Sequence, residues 1–228
     1  MPITTCIFDA YGTLFDVAAA ARQAAAEPEF QALETSWPAL AEQWRLKQLQ
    51  YTWLRAVTGA HTDFWQVTKD GLDWALEKTG HAGQPALRER LLALYWELQA
   101  YPEVPEMLHR LRAAGLNTAI LSNGSPAMLQ GAVRSAGITE FLDDSLSVEA
   151  VGIFKPDPRV YALVEKRFEC PRSEVLFVSS NGWDAAGAAG YGFETVWVNR
   201  ASEPMDRLPW KPHTILPDLT GIPERAGV

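Results

Sequence analysis

Short apolar stretches alternate along the chain with segments that have a helical pattern. The first stretch, Thr4 to Phe8, is rich in β-branched and apolar residues and stops at Asp9, with a turn residue at Gly12. Similar stretches follow at 118–121, 175–178, 195–198 and, more weakly, 145–148. Helical patterns occupy 104–114, 126–136 and 158–167. Because strands that alternate with helices form parallel sheets, the sequence predicts an α/β fold with a doubly wound, Rossmann-like, mostly parallel sheet.

The segment from residue 17 to residue 101 breaks this alternation, because it contains only helical patterns. Apolar side chains such as Leu40, Trp44 and Tyr51 recur there at helical spacing. We therefore expect an inserted helical cap subdomain at 17–101 and a core domain made of 1–16 and 102–228. The proline-rich C-terminal end is expected to run irregularly over the surface.

Composition excludes several classes of protein. The 228 residues are 47% hydrophobic and 21% charged, and no stretch approaches the ~18 consecutive apolar residues of a membrane span. The net charge of −8 disfavours binding to nucleic acid, which needs a basic surface. The two cysteines are far apart, which argues against a disulfide framework and a thiolate metal site. Since the N-terminus lacks the pattern of a secretory signal, we expect a soluble, cytoplasmic protein without a membrane or nucleic-acid partner.

Polar residues gather where the predicted strands end. In open parallel sheets ligands bind beyond the carboxyl ends of the strands, so these positions are candidates for chemistry. A lone Asp or Lys there is usually a helix cap or a surface charge, but two acids, a lysine and several hydroxyl or amide groups together indicate a catalytic cleft. The residues concerned are Asp9, Thr13, Ser122, Asn123, Lys155, Tyr161, Ser179, Asn181 and Asp184.

Four segments carry a family resemblance. They are DAYGTLFD from Asp9, LSNGSP from Leu121, KPDPRVY from Lys155 and FVSSNGWDA from Phe177. Together they resemble the motifs of the haloacid dehalogenase superfamily, and they are most similar to its L-2-haloacid dehalogenase branch. The cap segment WRLKQLQYTWLR from Trp44 resembles that branch as well.

The resemblance implies hydrolysis of a small L-2-halo acid without cofactor or metal. The carboxylate of Asp9 would attack C2 and expel halide, and water would then cleave the aspartyl ester, giving a D-2-hydroxy acid with inversion at C2. Asp184 is implied to activate this water, with Asn181 and Ser179 orienting it, while Lys155 pairs with Asp9. The implied catalytic set is Asp9, Thr13, Lys155, Ser179, Asn181 and Asp184.

Substrate binding is implied by the same resemblance. The substrate carboxylate would lie on Ser122 and the backbone N–H groups of Ala10 and Tyr11, and the halide would leave near Arg45. The implied binding set is Ala10, Tyr11, Arg45, Leu49, Phe64, Ser122, Asn123, Tyr161 and Trp183. Relatives are commonly homodimers. Relatives also often have glutamine where this chain has Leu46, which bears on substrate size.

Two rival interpretations remain. A phosphatase of the superfamily usually has a second aspartate two positions after the nucleophile, where this chain has Tyr11, and an acidic Mg²⁺ ligand where it has Ser180. These substitutions favour a dehalogenase, because halide needs no proton to leave. A binding scaffold without catalysis is disfavoured by the presence of Asp9, Lys155, Asn181 and Asp184 together.

Overall fold

The computed structural model describes residues 2–228 and confirms the predicted sheet. Residue 1, with which the predicted core range begins, lies outside the described residues. The six strands are β1 (Thr5–Phe8), β2 (Asn117–Ser122), β3 (Asp144–Ser147), β4 (Val175–Ser179), β5 (Glu194–Val198) and β6 (Thr214–Leu216). Their order is β3-β2-β1-β4-β5-β6, and every neighbouring pair is parallel. This is a doubly wound order. Strands are added outward from β1 to β3 on one side and from β4 to β6 on the other, so the expected ligand crevice lies between the carboxyl ends of β1 and β4.

Helices cover the sheet and form the insertion. They are α1 (Ala19–Ala25), α2 (Trp37–Thr58), α3 (Phe64–Lys78), α4 (Pro85–Trp96), α5 (Val104–Ala113), α6 (Pro126–Ser135), α7 (Pro158–Phe168), α8 (Gly182–Tyr191) and α9 (Ile222–Ala226). Local sequence explains several starts. Asp157 caps α7, because its side chain accepts a hydrogen bond from the amide of Arg159 at 2.9 Å. Pro158 is the first residue of this helix, where its missing N–H costs nothing because that position has no partner within the helix.

The C-terminal region is more regular than the sequence predicts. β6 extends the sheet beyond β5, and α9 packs against α5. The expectation of an irregular surface course is therefore wrong for Thr214–Leu216 and Ile222–Ala226, although the segment between Arg200 and His213 is irregular.

Helices α1 to α4 form the inserted cap. The indole of Trp44 donates to the carbonyl of Thr68 at 2.8 Å and thereby fixes α2 against α3. Two linkers, residues 14–16 and 99–101, join the cap to the core. They run side by side, with Asp16 N donating to Gln99 O at 3.0 Å and Tyr101 N donating to Leu14 O at 2.9 Å. The division at residues 16/17 and 101/102 stays a prediction.

No helix within residues 2–228 has the length and apolar character needed to cross a membrane. The cytoplasmic location expected from the sequence stays a prediction.

Candidate active site

The first strand places a carboxylate at the centre of the crevice. The amide of Asp9, just beyond β1, donates to Val178 O on β4 at 2.9 Å, and the side chain is only 9% exposed. Oδ2 of Asp9 accepts from the Thr13 hydroxyl at 2.9 Å and from the Asn181 amide at 3.1 Å. Oδ1 lies 3.2 Å from Nζ of Lys155. Donors on both oxygens fix the orientation of this carboxylate.

Lys155 joins two carboxylates in the interior. Its Nζ also lies 2.8 Å from Oδ2 of Asp184, and both side chains are almost fully buried. Burial alone would lower the pKa of Lys155, but the charges of Asp184 and Asp9 outweigh burial and leave this pKa raised. Burial raises the pKa of Asp184, and the positive charge of Lys155 offsets this rise only in part. Tyr161 donates its hydroxyl to Oδ1 of Asp184 at 2.8 Å, so both oxygens of this acid are engaged.

Residues at the end of β4 position Asn181 and Thr13, the two residues that donate to Oδ2 of Asp9. The Ser179 hydroxyl accepts from Asn181 N at 3.1 Å, which shapes the turn before α8. The next residue, Ser180, donates its amide to the Thr13 hydroxyl at 2.8 Å. Asp184 lies in the first turn of α8, where the helix dipole favours a negative charge.

Arg45 enters the site from α2 of the cap. Its Nη2 donates to Oδ1 of Asn181 at 2.9 Å, and its Nη1 lies 3.4 Å from Tyr11 O. Gly12 makes this approach possible. Its φ is +89°, and a Cβ built there would lie 2.6 Å from Nη2 of Arg45, so a larger residue would be both strained and in collision.

A small cavity lies between cap and core. Its volume is about 30 Å³, room for about two water molecules, so the cap is closed over it. The lining residues are Asp9, Tyr11, Arg45, Gln48, Leu49, Phe64, Tyr95, Ser122, Asn123, Lys155, Asn181 and Trp183.

The remaining residues expected in the site lie behind this lining. Ala10, Thr13, Ser179 and Asp184 are fully buried and do not border the cavity. Tyr161 is buried as well and reaches the site only through Asp184. The structure thus brings all the expected residues to one place but divides them into a lining and a supporting layer.

Two residues of the lining, Gln48 and Tyr95, are not among those predicted from the sequence. Gln48 lies one helical turn after Arg45, and this spacing was a usable signal. Its amide nitrogen donates to the Thr68 hydroxyl at 3.0 Å and to the Tyr95 hydroxyl at 3.1 Å. Burial raises the pKa of Tyr95 to about 12, so this hydroxyl keeps its proton at neutral pH. No local pattern marks Tyr95, which comes from α4 and stacks on Tyr11 with ring centroids 5.5 Å apart.

Comparison with known proteins agrees with this geometry. The family model described as haloacid dehalogenase-like hydrolase matches residues 3–192. The chain belongs to this hydrolase family. It is 47% identical to (S)-2-haloacid dehalogenase 1 of Pseudomonas sp. (strain CBS-3) over 205 residues, covering 90% of this chain and 88% of the relative.

Solved structures of the haloacid dehalogenase-like hydrolases superpose closely on the chain. One L-2-haloacid dehalogenase has 38% identity and a TM-score of 0.93, with 100% of both chains covered. The L-2-haloacid dehalogenase of Xanthobacter autotrophicus with covalently bound chloropropionic acid has 36% identity and a TM-score of 0.88, with 97% of both chains covered.

The residues around Asp9 do not fit the magnesium site that phosphatases of this superfamily use. Both Asp9 oxygens already face the donor groups of Lys155, Thr13 and Asn181. Position 180, where an acid would be expected, supplies a serine hydroxyl. Within the part of the chain that the structure describes, no three His, Cys, Asp or Glu side chains are grouped to hold a metal ion.

Leu46 lies away from the cavity. Its side chain is 52% exposed on α2, whereas Leu49 and Gln48 on the same helix line the cavity. The side chain at position 46 therefore does not contribute to the wall of this cavity.

Proposed function

We propose that this enzyme is an (S)-2-haloacid dehalogenase that hydrolyses small L-2-halo acids to D-2-hydroxy acids and halide. The observation that carries the proposal is the oriented carboxylate of Asp9 facing a closed cavity that two cations, Arg45 and Lys155, also line. The aromatic and aliphatic walls suit an alkyl chain, and tyrosine stands at position 11 where a phosphatase would have its acid. The covalent chloropropionate complex of the Xanthobacter relative supports the same chemistry.

In the first step, an oxygen of Asp9 attacks C2 while the carbon–halogen bond breaks and the halide takes the bonding electrons. A carboxylate substrate approaching Asp9 meets a repulsion of roughly 4 kcal/mol at ~4 Å and an effective dielectric of ~20. Lys155 offsets this repulsion. Arg45, with Asn123 and Phe64, would receive the halide at the other side of the carbon.

The substrate carboxylate is assigned to the floor of the cavity. Ser122 is buried and its hydroxyl accepts from Gly124 N at 3.0 Å, which leaves the hydroxyl hydrogen for an anionic ligand. The backbone N–H groups of Ala10 and Tyr11 would complete this subsite. Tyr11, Leu49 and Trp183 then surround the alkyl group of the substrate.

In the second step, water attacks the side-chain carbonyl of the Asp9 ester and releases the 2-hydroxy acid. The water oxygen remains in Asp9. One water proton passes to a base, which returns it to the oxygen on C2 as the acyl C–O bond breaks, and the other proton is lost to solvent when Asp9 ionises again. We assign this base to Asp184, with Asn181 and Ser179 orienting the water. The raised pKa of Asp184 makes it a stronger base than an ordinary aspartate. Only the first step changes bonds at C2, so configuration inverts once.

A chelation experiment separates this proposal from the phosphatase alternative. We propose that the reaction is independent of metal, since the donors around Asp9 occupy both of its oxygens. Halide release from L-2-chloropropionate should continue in excess EDTA. Loss of release with the chelator, restored by Mg²⁺, would favour the phosphatase. Turnover of any 2-halo acid would exclude a scaffold without catalysis.

Isotope labelling tests the covalent step. In a single turnover with enzyme in excess in ¹⁸O-water, the label should appear in Asp9, and the first hydroxy acid should be unlabelled. A labelled first product would instead show that water attacks C2 directly.

We also infer that the enzyme is a homodimer that associates through α2. Leu54 and Val57 on this helix are 53% and 87% exposed, which is unfavourable for apolar side chains in water. Sedimentation should give a dimer for the unchanged enzyme and a monomer for the double variant Leu54→Glu, Val57→Glu. A monomeric unchanged enzyme at micromolar concentration would contradict the inference.

A further inference from the structure

Arg200 is held by an ordered turn at the end of β5. The preceding residue, Asn199, donates its amide to Leu216 O on β6 at 2.8 Å. The side chain of Asn199 also exchanges two hydrogen bonds of 2.9 Å with the main chain of Glu203. These bonds fix the direction in which the chain presents Arg200, which points towards the base of the cap and lies outside the cavity lining.

The guanidinium of Arg200 contacts three groups at once. Its Nη2 donates to Thr13 O at 3.4 Å and lies 2.7 Å from Oε1 of Glu103. The guanidinium carbon lies 3.7 Å from the ring centroid of Tyr101, a cation–π geometry. The side chain is 23% exposed, so these contacts are partly shielded from water.

These contacts lie on both connections between core and cap. Thr13 immediately precedes the first linker, whereas Tyr101 ends the second and pairs with Leu14 of the first. Phe15 and Ala100 form an isolated bridge between the linkers. A single side chain of the core therefore holds both linkers at the point where cap motion would begin.

Thr13 connects this point to the nucleophile. Its hydroxyl donates to Oδ2 of Asp9 at 2.9 Å and accepts from Ser180 N at 2.8 Å, while its carbonyl accepts from Arg200. A shift of the Thr13 main chain would move the donor that orients the carboxylate. Rotation of Asp9 away from the line of attack lowers the rate even when substrate binding is intact.

We propose that Arg200 is a positioning residue for the dehalogenation, holding Thr13 and both linkers so that Asp9 keeps its attack orientation as the cap opens and closes. This inference rests on the proposed function. Lysine would keep the charge but lose the planar group that stacks on Tyr101 while it donates to Thr13 O and pairs with Glu103, so Arg200→Lys should retain activity only in part.

A matched pair of variants separates positioning from general stability. Arg172 resembles Arg200, because its guanidinium lies 3.9 Å from the Tyr191 ring, pairs with Glu165 at 3.0 Å and donates to Tyr191 O at 3.0 Å, all away from the linkers. Arg200→Met should lower kcat by about 10- to 100-fold with little change in KM. Arg172→Met should leave both constants unchanged. Equal kcat in the two variants would overturn the inference.

A double-mutant cycle tests the route through Thr13. Thr13→Ala should itself lower kcat, and adding Arg200→Met should then lower it little further, because the donor that Arg200 positions is gone. Multiplying effects would show that Arg200 does not act through Thr13.

Hydrogen exchange gives a readout that does not depend on turnover. Arg200→Met should speed exchange in residues 13–16 and 99–103, and Arg172→Met should not. Uniform acceleration over the whole chain would overturn the inference. If the unchanged enzyme released no halide from L-2-chloropropionate, the proposed function would fail, whereas local exchange would still show whether Arg200 holds the linkers.

Discussion

The core half and the cap half of the site are built in different ways. In the core, Lys155 joins Asp9 and Asp184 through contacts of 3.2 and 2.8 Å, and all three side chains are buried. From the cap, Arg45 reaches the core through one hydrogen bond of 2.9 Å to Asn181 and a longer one to Tyr11 O. The core half is a rigid charged cluster, whereas the cap half is held by few polar contacts.

The core half and the cap half therefore have different roles in the reaction cycle. Moving Asp9 away from Lys155 would leave a buried charge without its partner, which is strongly unfavourable. We therefore expect the nucleophile to stay in place throughout the reaction cycle. The cavity of about 30 Å³ is too small to admit a substrate from the closed state, and therefore the cap must move. Substrate entry thus changes the cap side of the site and leaves the core side in place.

The largest effect is expected at the nucleophile. Asp9→Asn should still fold, because the amide keeps the side-chain volume and an acceptor for Thr13, and Lys155 keeps Asp184 as a partner. Halide release should fall by at least about 10⁴-fold, since no carboxylate attacks C2. Stopped assays for halide, with circular dichroism for folding, check both parts. Activity near that of the unchanged enzyme would show that Asp9 is not the nucleophile.

Lys155→Met should impair activity and stability together. The substitution leaves Asp9 and Asp184 facing each other without their cation, and the loss of one partner from a buried ion pair costs about 3–5 kcal/mol. Urea unfolding should show a lower midpoint with an unchanged slope. A variant as stable as the unchanged protein would contradict the description of the core half as a charge cluster.

Arg45→Met should lower activity without a comparable loss of stability. Stability should change by about 1 kcal/mol or less, because Arg45 is partly exposed and has few partners. The rate of halide departure should fall by roughly 10²–10³-fold, the usual effect of losing one donor to a developing anion. Rapid-quench measurement of halide release checks the first step. Loss of stability as large as for Lys155→Met would remove the distinction between the halves.

The sequence predicts the core half better than the cap half, for a physical reason. Asp9, Ser122 and Asn181 follow local strand patterns, and the parallel topology brings strand ends to one edge. Arg45 was found only through a resemblance. Tyr95 was missed because helix packing across the cap, which no local pattern encodes, brings it to the cavity.

The sixth strand was missed for a related reason. Thr214–Leu216 has only three residues and lies partly exposed at the sheet edge. Its pairing with β5 decides its conformation, and its own sequence does not. Edge strands of this length carry too little periodicity to be distinguished from the proline-rich region around them.

A smaller effect is expected from Tyr161→Phe. The hydroxyl of Tyr161 stabilises the ionised form of Asp184, so its removal should raise further a pKa that burial already raises. Asp184 acts as a base only when ionised, and activity is therefore lost as pH falls through this pKa. The acid limb of the kcat profile should move to higher pH, by about one unit at most, with little change on the plateau.

Tyr191→Phe is the control for this shift. Tyr191 donates to Glu165, outside the site, so its removal should leave the acid limb where it is. An unmoved limb in Tyr161→Phe as well would show that Asp184 does not limit the rate at low pH.

The smallest effect is expected at Leu46, where the family resemblance suggests glutamine and a bearing on substrate size. Leu46→Gln places an amide on a side chain that is 52% exposed and outside the cavity lining. The ratio of kcat/KM for L-2-chlorobutyrate to that for L-2-chloropropionate should therefore change by less than about 2-fold, as exposed substitutions seldom perturb a site. Leu49→Ala, which enlarges the cavity wall three positions further along α2, should raise the same ratio more. If Leu46→Gln had the larger effect, α2 would have to present a different face to the substrate than it does in the closed state. The motion of the cap half would then include a rotation of α2 about its own axis.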